Sequence, residues 1–216
     1  KAPDHPGACH YYIHAVEASP TPERALACAE RLPSLMPGAG HLVHMPAHIY
    51  MRLGRYHEAV ERNEHAAHVD EGYLGGSKTK SEYATGYYPH NIHFLWASLA
   101  MEGRRADAMK AADRLTRLIK EQGAQKDKAK EFYLPTRLWT MIRFGQWDAL
   151  LREPMPPPAL HLQHGVWRLG RGLALVRSGR LPGAEGEHAI LMGLTKRLGR
   201  DRTPEEKTQR TLLKIA

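Results

Sequence analysis

Apolar and small residues recur along this chain in paired runs at helical spacing, and a short turn separates the two runs of each pair. Val43, Ala47 and Tyr50 share one face of a segment that ends near Gly54. Ala59 then opens a second run, whose small residues let two antiparallel helices pack closely. The pattern predicts a chain built from helix pairs.

Glycines at residues 54, 103, 145 and 179 mark the predicted turns, and Pro20 occupies the corresponding position in the first pair. Pro46 lies within a predicted helix, where a proline removes a backbone hydrogen bond, so we expect a kink or a new helix there. We predict helices at residues 7–18 and 22–32, 38–53 and 56–69, 89–102 and 105–121, 128–144 and 147–152, 161–178 and 181–198, and 204–215.

These helix pairs resemble the tetratricopeptide repeat (TPR) family, whose signature joins a helix with W-x2-L-G-x2-Y spacing, a tight turn and a helix with A-x3-F spacing. The resemblance implies an all-α, right-handed α-solenoid of antiparallel helix pairs, in which the first helices line a concave groove that holds a peptide or small-molecule ligand. The matching segments are Cys9-x2-Tyr12-Ile13-x2-Val16 with Ala25-x3-Ala29, Val43-x2-Pro46-Ala47-x2-Tyr50 with Ala59-x3-Asn63, and Ile92-x2-Leu95-Trp96-x2-Leu99 with Ala108-x3-Ala112.

The predicted organisation is one continuous solenoid with three histidine-bearing pairs in residues 1–121 and further pairs in 122–216. An insertion at about 71–88 forms either a lid over the groove or a disordered surface loop. A proline-rich connector lies near 154–158. We expect the chain to be a fragment of a longer one, because it begins at Lys1 with what resembles the end of a preceding unit.

The chain contains 14 histidines, and seven of them recur at fixed distances before a turn residue. Residues three, four or seven apart share a helix face, so the histidines of each helix are predicted to point the same way. His41, His44 and His48 lie thirteen, ten and six residues before Gly54, His90 and His93 lie thirteen and ten before Gly103, and His10 and His14 lie ten and six before Pro20.

Imidazoles at these spacings can meet one ion, as in helical zinc sites and di-iron bundles. The TPR resemblance implies that the same positions face the groove, where neighbouring helices bring them together. We therefore predict a metal site, although a solvated or peptide-binding face remains the alternative. The predicted ligands are His10, His14, Glu17, His41, His44, His48, His90 and His93.

Imidazole nitrogens with one carboxylate suit Cu, Zn, Fe or Ni, and eight ligands exceed the needs of one ion. The predicted function is a metal-dependent enzyme, with an oxidoreductase favoured over a hydrolase. Glu17, Tyr50 and Tyr88 are the candidate catalytic residues, and Tyr11 and Tyr87 are further candidates for tyrosines around the metal. A TPR scaffold for protein–protein interaction, or a protein that stores or delivers metal, is the alternative.

The net charge is +8, but Lys and Arg are interleaved with Asp and Glu, which is typical of a solvated surface. We therefore expect no nucleic-acid partner. No apolar run approaches the roughly 20 residues of a membrane span, so we expect a soluble protein. The sequence does not determine its cellular compartment. Cys9 and Cys28 could pair in a disulfide, but two thiols are favoured.

Overall fold

The computed structural model describes residues 4–76, 82–123, 128–198 and 204–215, and within them it contains α-helices, one short 3-10 helix and no strand. The predicted all-α class is confirmed. The helices are α1 Pro6–Glu17, α2 Leu26–Leu35, α3 Gly40–His44, α4 Pro46–Arg52, α5 Tyr56–Gly75, α6 Glu82–Thr85, α7 Tyr87–Glu102, α8 Arg105–Glu121, α9 Lys128–Glu131, α10 Thr136–Arg143, α11 Trp147–Arg152, α12 His161–Arg177, α13 Leu181–Leu198 and α14 Pro204–Ile215, with the 3-10 helix at Pro22–Ala25.

The predicted turn glycines close the first helices of their pairs. Gly54, Gly103, Gly145 and Gly179 have φ values of 73°, 83°, 62° and 73°. Glycine reaches this left-handed region without the steric cost that a Cβ imposes, which is why it ends helices so often. The glycine positions therefore confirm the register of the helix pairs.

Two prolines divide predicted helices. Pro46 is the first residue of α4, where its missing N–H would have had no helical partner, so the predicted break at this position is confirmed. Pro135 acts in the same way before α10, with φ −78°. The prediction of one continuous helix over 128–144 was wrong, because residues 132–135 form a turn between α9 and α10.

The chain divides into two compact units, residues 1–111 and 112–216. In the first unit, α1 packs against α2 and α4, α3 packs against α5 and α7, and α5 packs against α7. Ile13, Leu32, Met45 and Ile49 are fully buried in one core of this unit. These apolar faces fix the helices that carry the histidines. Cys9 is a buried thiol of the same core, and Cys28 is a partly buried thiol packed against it, as favoured.

In the second unit, α12 packs against α10, α11, α13 and α14. Leu150, Leu162 and Val166 are buried there. The proline-rich segment at 154–158 joins α11 to α12. No helix in the described part of the chain has both the length and the apolar character needed to cross a membrane.

Part of the predicted insertion at 71–88 is helical, because α5 continues to Gly75 and α6 spans Glu82–Thr85. Residues 77–81 of the insertion lie outside the described residues, as do residues 1–3 of the segment interpreted as the end of a preceding unit. The described end of the insertion leads directly into α7, which begins at Tyr87.

Candidate metal centre

Six histidines and one carboxylate from α1, α3, α4 and α7 form the histidine cluster. Each of the six rings has another histidine ring whose centroid lies 4.7–5.1 Å away. Ligand atoms within 4.8 Å of one another form three groups of three among the described residues. The cluster consists of His10, His14, Glu17, His41, His44, His48 and His90.

Three of these residues, His44, His48 and His90, make up the inner trio. His44 and His48 are buried, and His90 is half-buried. Nε2 of His44 lies 2.8 Å from Nε2 of His48 and 3.1 Å from Nε2 of His90. Around a tetrahedral ion with metal–nitrogen bonds of about 2.0–2.1 Å, two ligand nitrogens are about 3.3 Å apart. The inner trio is therefore close to the spacing of a metal-binding set.

The hydrogen bonds of Asn63 and Glu17 determine which nitrogens are free. Asn63 Nδ2 donates to the Ala59 carbonyl at 2.7 Å, so its Oδ1 accepts from His44 Nδ1 at 2.7 Å. Glu17 Oε2 accepts from His48 Nδ1 at 2.5 Å. With a proton on each Nδ1, the neutral rings carry a lone pair on Nε2, directed into the trio.

The outer trio consists of His10, His14 and His41. One ring nitrogen of each lies within 4.8 Å of the others, and Nε2 of His41 is 3.2 Å from Nε2 of His10. His14 is exposed, whereas His10 and His41 are half-buried. Glu17 Oε1 accepts from His14 Nδ1 at 2.8 Å. One carboxylate thus orients one histidine of each trio.

Burial keeps the central imidazoles neutral. It lowers the pKa of His41 to about 3 and that of His90 to about 4, and neighbouring imidazoles act in the same direction. Burial also moves the pKa of His44 well below its usual value. Burial raises the pKa of Glu17, but hydrogen bonds from His48 and His14 outweigh it and bring that pKa to about 2. At neutral pH His41, His44 and His90 are therefore neutral, and Glu17 is a carboxylate.

A buried carboxylate anchors the first residues of α3. The Tyr83 hydroxyl accepts from the His41 backbone N–H at 2.9 Å and donates to Asp70 Oδ1 at 2.6 Å. Asn91 Nδ2 donates to Asp70 Oδ2 at 2.7 Å. A Cβ at Gly40 would overlap the Asp70 carboxylate and lie 2.9 Å from the Ala66 carbonyl oxygen. The network positions His41 and requires glycine at residue 40.

No local sequence pattern predicted this network. Asp70 and Tyr83 lie on different helices, and Tyr83 is 42 residues from His41 along the chain. Gly40, directly before a run of predicted ligands, was the available signal, because a glycine at a helix start often marks a close backbone approach. Tyr83 itself lies in the insertion predicted as a lid or loop.

The remaining predicted residues lie elsewhere in the first unit. His93 is half-buried, stacks on Trp96 with ring centroids 5.0 Å apart, and belongs to none of the three groups of potential ligands. Tyr50 is buried with Ala47 and Ala59, under the Arg55 guanidinium.

Tyrosine side chains contact two histidines of the outer trio. The ring of Tyr87 lies 4.3 Å from that of His41, and the ring of Tyr11 lies 5.1 Å from that of His10. Tyr83 makes the third contact, through the His41 backbone. Tyr88, the predicted catalytic tyrosine, instead donates its hydroxyl to Glu71 at 3.2 Å.

Comparisons with known proteins reveal similarity in fold. No family model matches the chain, and no curated protein matches it. A crystal structure from Podosopora anserina, described as kinesin light chain with nearly identical TPR-like repeats, superposes with a TM-score of 0.65. The match covers 93% of this chain and 99% of the other, at 12% identity. The chain has a TPR-like fold. The predicted α-solenoid is thereby confirmed.

Proposed function

We propose that this chain binds transition-metal ions in the histidine cluster and acts as a metal-dependent enzyme, an oxidoreductase rather than a hydrolase. The observation that carries the proposal is the inner trio, in which three Nε2 atoms converge while Asn63 and Glu17 hold two of the Nδ1 atoms. Ligating histidines in metalloproteins are oriented through the other ring nitrogen in this way.

A cation is the partner that best suits the inner trio. His44 and His48 donate their Nδ1 protons elsewhere, so two Nε2 lone pairs face each other at 2.8 Å when both rings are neutral. Burial disfavours a proton on His44, because it lowers the pKa of that ring well below its usual value. A metal ion supplies the positive centre that these lone pairs require.

The ligand number supports catalysis. Three protein ligands leave one position of a tetrahedral ion for substrate, whereas structural sites fill all four. Glu17 accepts hydrogen bonds at both oxygens and has a pKa of about 2, so it is a weak base for activating water. We therefore assign Glu17 to orienting His14 and His48, and the weak base favours redox chemistry over hydrolysis.

Metal content after purification without a histidine tag tests the proposal. Wild-type protein and His188→Ala, which alters an exposed histidine of the second unit, are expected to retain stoichiometric metal. His44→Ala is expected to lose the ion of the inner trio. Equal metal content in the two variants, or a wild-type chain that takes up no Cu, Zn or Fe, would contradict the proposal.

A second variant tests the orientation of His44. Asn63→Ala removes the acceptor of the His44 Nδ1 proton while leaving the inner-trio histidines in place. Loss of such an orienting partner costs about 10–100-fold in metal affinity. Competition with a chelator measures the affinity, and circular dichroism shows whether the helices are retained. An unchanged affinity would mean that Asn63 serves packing alone.

Metal storage or delivery is the second candidate function, and the exposure of His14 favours it, because an exposed ligand allows exchange. The TPR-like fold alone is compatible with a peptide-binding scaffold. Rapid transfer of the ion to an apo-acceptor protein would indicate delivery. Retention of the ion, with turnover of a reductant in the presence of dioxygen, would indicate the enzyme.

A further inference from the structure

We propose that the outer trio holds a second ion beside the first, and that the cluster is a dinuclear copper centre, with three imidazoles per ion, that binds dioxygen between the two coppers. The inference rests on the proposed metal binding and deepens it. It assigns the number of ions, the metal and the small molecule that the centre takes.

Two of the three groups of potential ligand atoms share no residue, and the third, His14 with Glu17 and His48, lies between them. His10, His14 and His41 form one group of converging ligand atoms, and His44, His48 and His90 form another, with no residue in common. Glu17 contacts one member of each set through a different oxygen. This bridge holds the two trios in a fixed relation while leaving three nitrogens for each ion.

The two sets lie in direct contact. The ring centroids of His14 and His48 are 5.2 Å apart, those of His41 and His44 are 5.8 Å apart, and those of His41 and His90 are 6.4 Å apart. Paired metal sites with ions about 3.5–4 Å apart share a bridging ligand. Contacts between the trios put their ions close enough for one small molecule to bind both.

Charge selects the metal. The six imidazoles are neutral ligands, and the carboxylate of Glu17 engages Nδ1 atoms of His14 and His48. Because Coulomb repulsion scales with the product of the charges, two divalent ions repel each other about four times as strongly as two monovalent ions at the same distance. Cu(I) is a monovalent ion that imidazole ligands accept. Six neutral imidazoles with a single carboxylate offset little positive charge, so two adjacent ions are more favourable as Cu(I) than as Zn²⁺ or Fe²⁺.

Dioxygen completes the charge balance. Each Cu(I) gives one electron, dioxygen takes both, its π bond breaks and its σ bond remains, and the product is a peroxide dianion between two Cu(II) ions. No proton is needed, and release of dioxygen reverses the electron transfer. The dianion offsets the added charge of the oxidised coppers, which the neutral imidazoles cannot do.

The two halves of the centre differ in access. Phe94 covers the inner trio, with its ring 4.5 Å from that of His48 and 4.9 Å from that of His44. The outer trio includes His14, which is exposed. Tyr11, whose ring contacts His10 of the same trio, is 72% exposed. Dioxygen and the outer copper therefore enter from the side of α1, and the inner copper is expected to exchange more slowly.

Anaerobic titration with Cu(I) against a chelator, followed by admission of dioxygen, tests the inference. Two coppers per chain, uptake of one dioxygen per two coppers, an intense near-ultraviolet charge-transfer band and silence in electron paramagnetic resonance are expected. Evacuation should reverse the band. One copper per chain, or two coppers that give ordinary Cu(II) resonance signals without the band, would overturn the dinuclear centre.

Variants separate this inference from the proposed function. His10→Ala is expected to keep one copper and lose the dioxygen band, and His188→Ala is expected to keep both. His14→Gln repeats the test at an exposed ring, whose replacement leaves the buried core intact. A wild-type chain with one copper, unchanged by His10→Ala, refutes the second site and leaves the proposed function standing. A wild-type chain without copper, zinc or iron refutes both.

Discussion

The two units bury polar groups in opposite ways. In the second unit, Glu187 accepts from Arg168 at 2.7 Å and from Arg171 at 3.0 Å. Glu131 accepts from the Leu162 N–H at 2.7 Å and from Gln209 at 3.0 Å. Each of these buried carboxylates meets donors from its own unit.

The first unit instead gathers groups of one kind. Six imidazoles face one another, and the side chains that accept from their Nδ1 atoms are Glu17 and Asn63 in the described residues. The Nε2 atoms of the inner trio face one another rather than donors of another residue type. The second unit thus pairs these buried carboxylates with donors of its own, as the first unit does for Asp70, whereas the histidine cluster holds mostly groups of one kind, for which we propose a cation as the partner.

Lowering the pH is expected to have the largest effect on stability, and to destabilise the metal-free first unit. The pKa of His41 is about 3 and that of His90 about 4 when folded, against 6.5 when unfolded. The unfolded chain thus binds more protons below pH 6.5, so stability falls as pH drops from 6.5 towards 4. At pH 5 each of these two residues lowers the free energy of unfolding by about 2 kcal/mol, and together they lower it by about 4 kcal/mol.

Urea denaturation of the metal-free protein at pH 7 and pH 5 measures this loss. His41→Gln is expected to remove about 2 kcal/mol of the pH dependence, because it removes one of the buried rings whose pKa is lowered. The interpretation of the cluster as neutral imidazoles fails if stability is the same at both pH values.

Metal should stabilise the first unit selectively. Binding to the folded state at a free metal concentration about one hundred times Kd adds about 2.7 kcal/mol. Hydrogen exchange should show the added protection in α1, α3, α4 and α7 and little in α12 and α13. An equal increase in hydrogen-exchange protection in both units would contradict selective stabilisation of the first unit by metal.

Glu187→Gln should destabilise the second unit by about 2 kcal/mol, because two largely buried guanidiniums lose their carboxylate partner. Copper content should not change. Glu185→Gln, at an exposed position on the same helix, is the matched control and should have little effect. Thermal denaturation and metal analysis of both variants measure the outcome. Loss of copper in Glu187→Gln would contradict the expectation that the ion pairs of the second unit do not affect the histidine cluster.

Tyr83→Phe should have the smallest effect on stability, about 1.5 kcal/mol, because Asp70 loses one donor and the His41 N–H loses its acceptor. The variant should also bind metal more weakly, since α3 carries His41. Tyr73→Phe is the control, because Tyr73 is 58% exposed. Identical stability and metal affinity in the two variants would contradict the anchoring role of the Tyr83–Asp70 network.

Local spacing predicted most of the fold. The turn glycines and most helix limits depend on residues that interact within one or two helical turns. Local sequence is therefore sufficient to predict them. The helix predicted over 128–144 was wrong because that range runs through Pro135, and the chain turns at 132–135 before α10 begins.

The sequence predicted which helix faces carry the histidines of the candidate site, but it did not predict which side chains contact one another. Residues three apart on a helix differ by about 60° in direction, which is enough for His90 to meet His44 while His93 stacks on Trp96. The Asp70–Tyr83 hydrogen bond depends on how three helices pack, and no local pattern encodes such a contact. Metal binding itself stays a prediction.

Gly40 has a consequence for ancestry and engineering. Any larger residue there collides with Asp70, so the position accepts only glycine while that carboxylate stays in place. The string glycine, histidine, two residues, histidine, three residues, histidine, followed at distance by aspartate and tyrosine, is therefore a fingerprint that can be sought in genomes. A designer who transplants the cluster into another helical repeat must move this string together with His10, His14, Glu17 and His90.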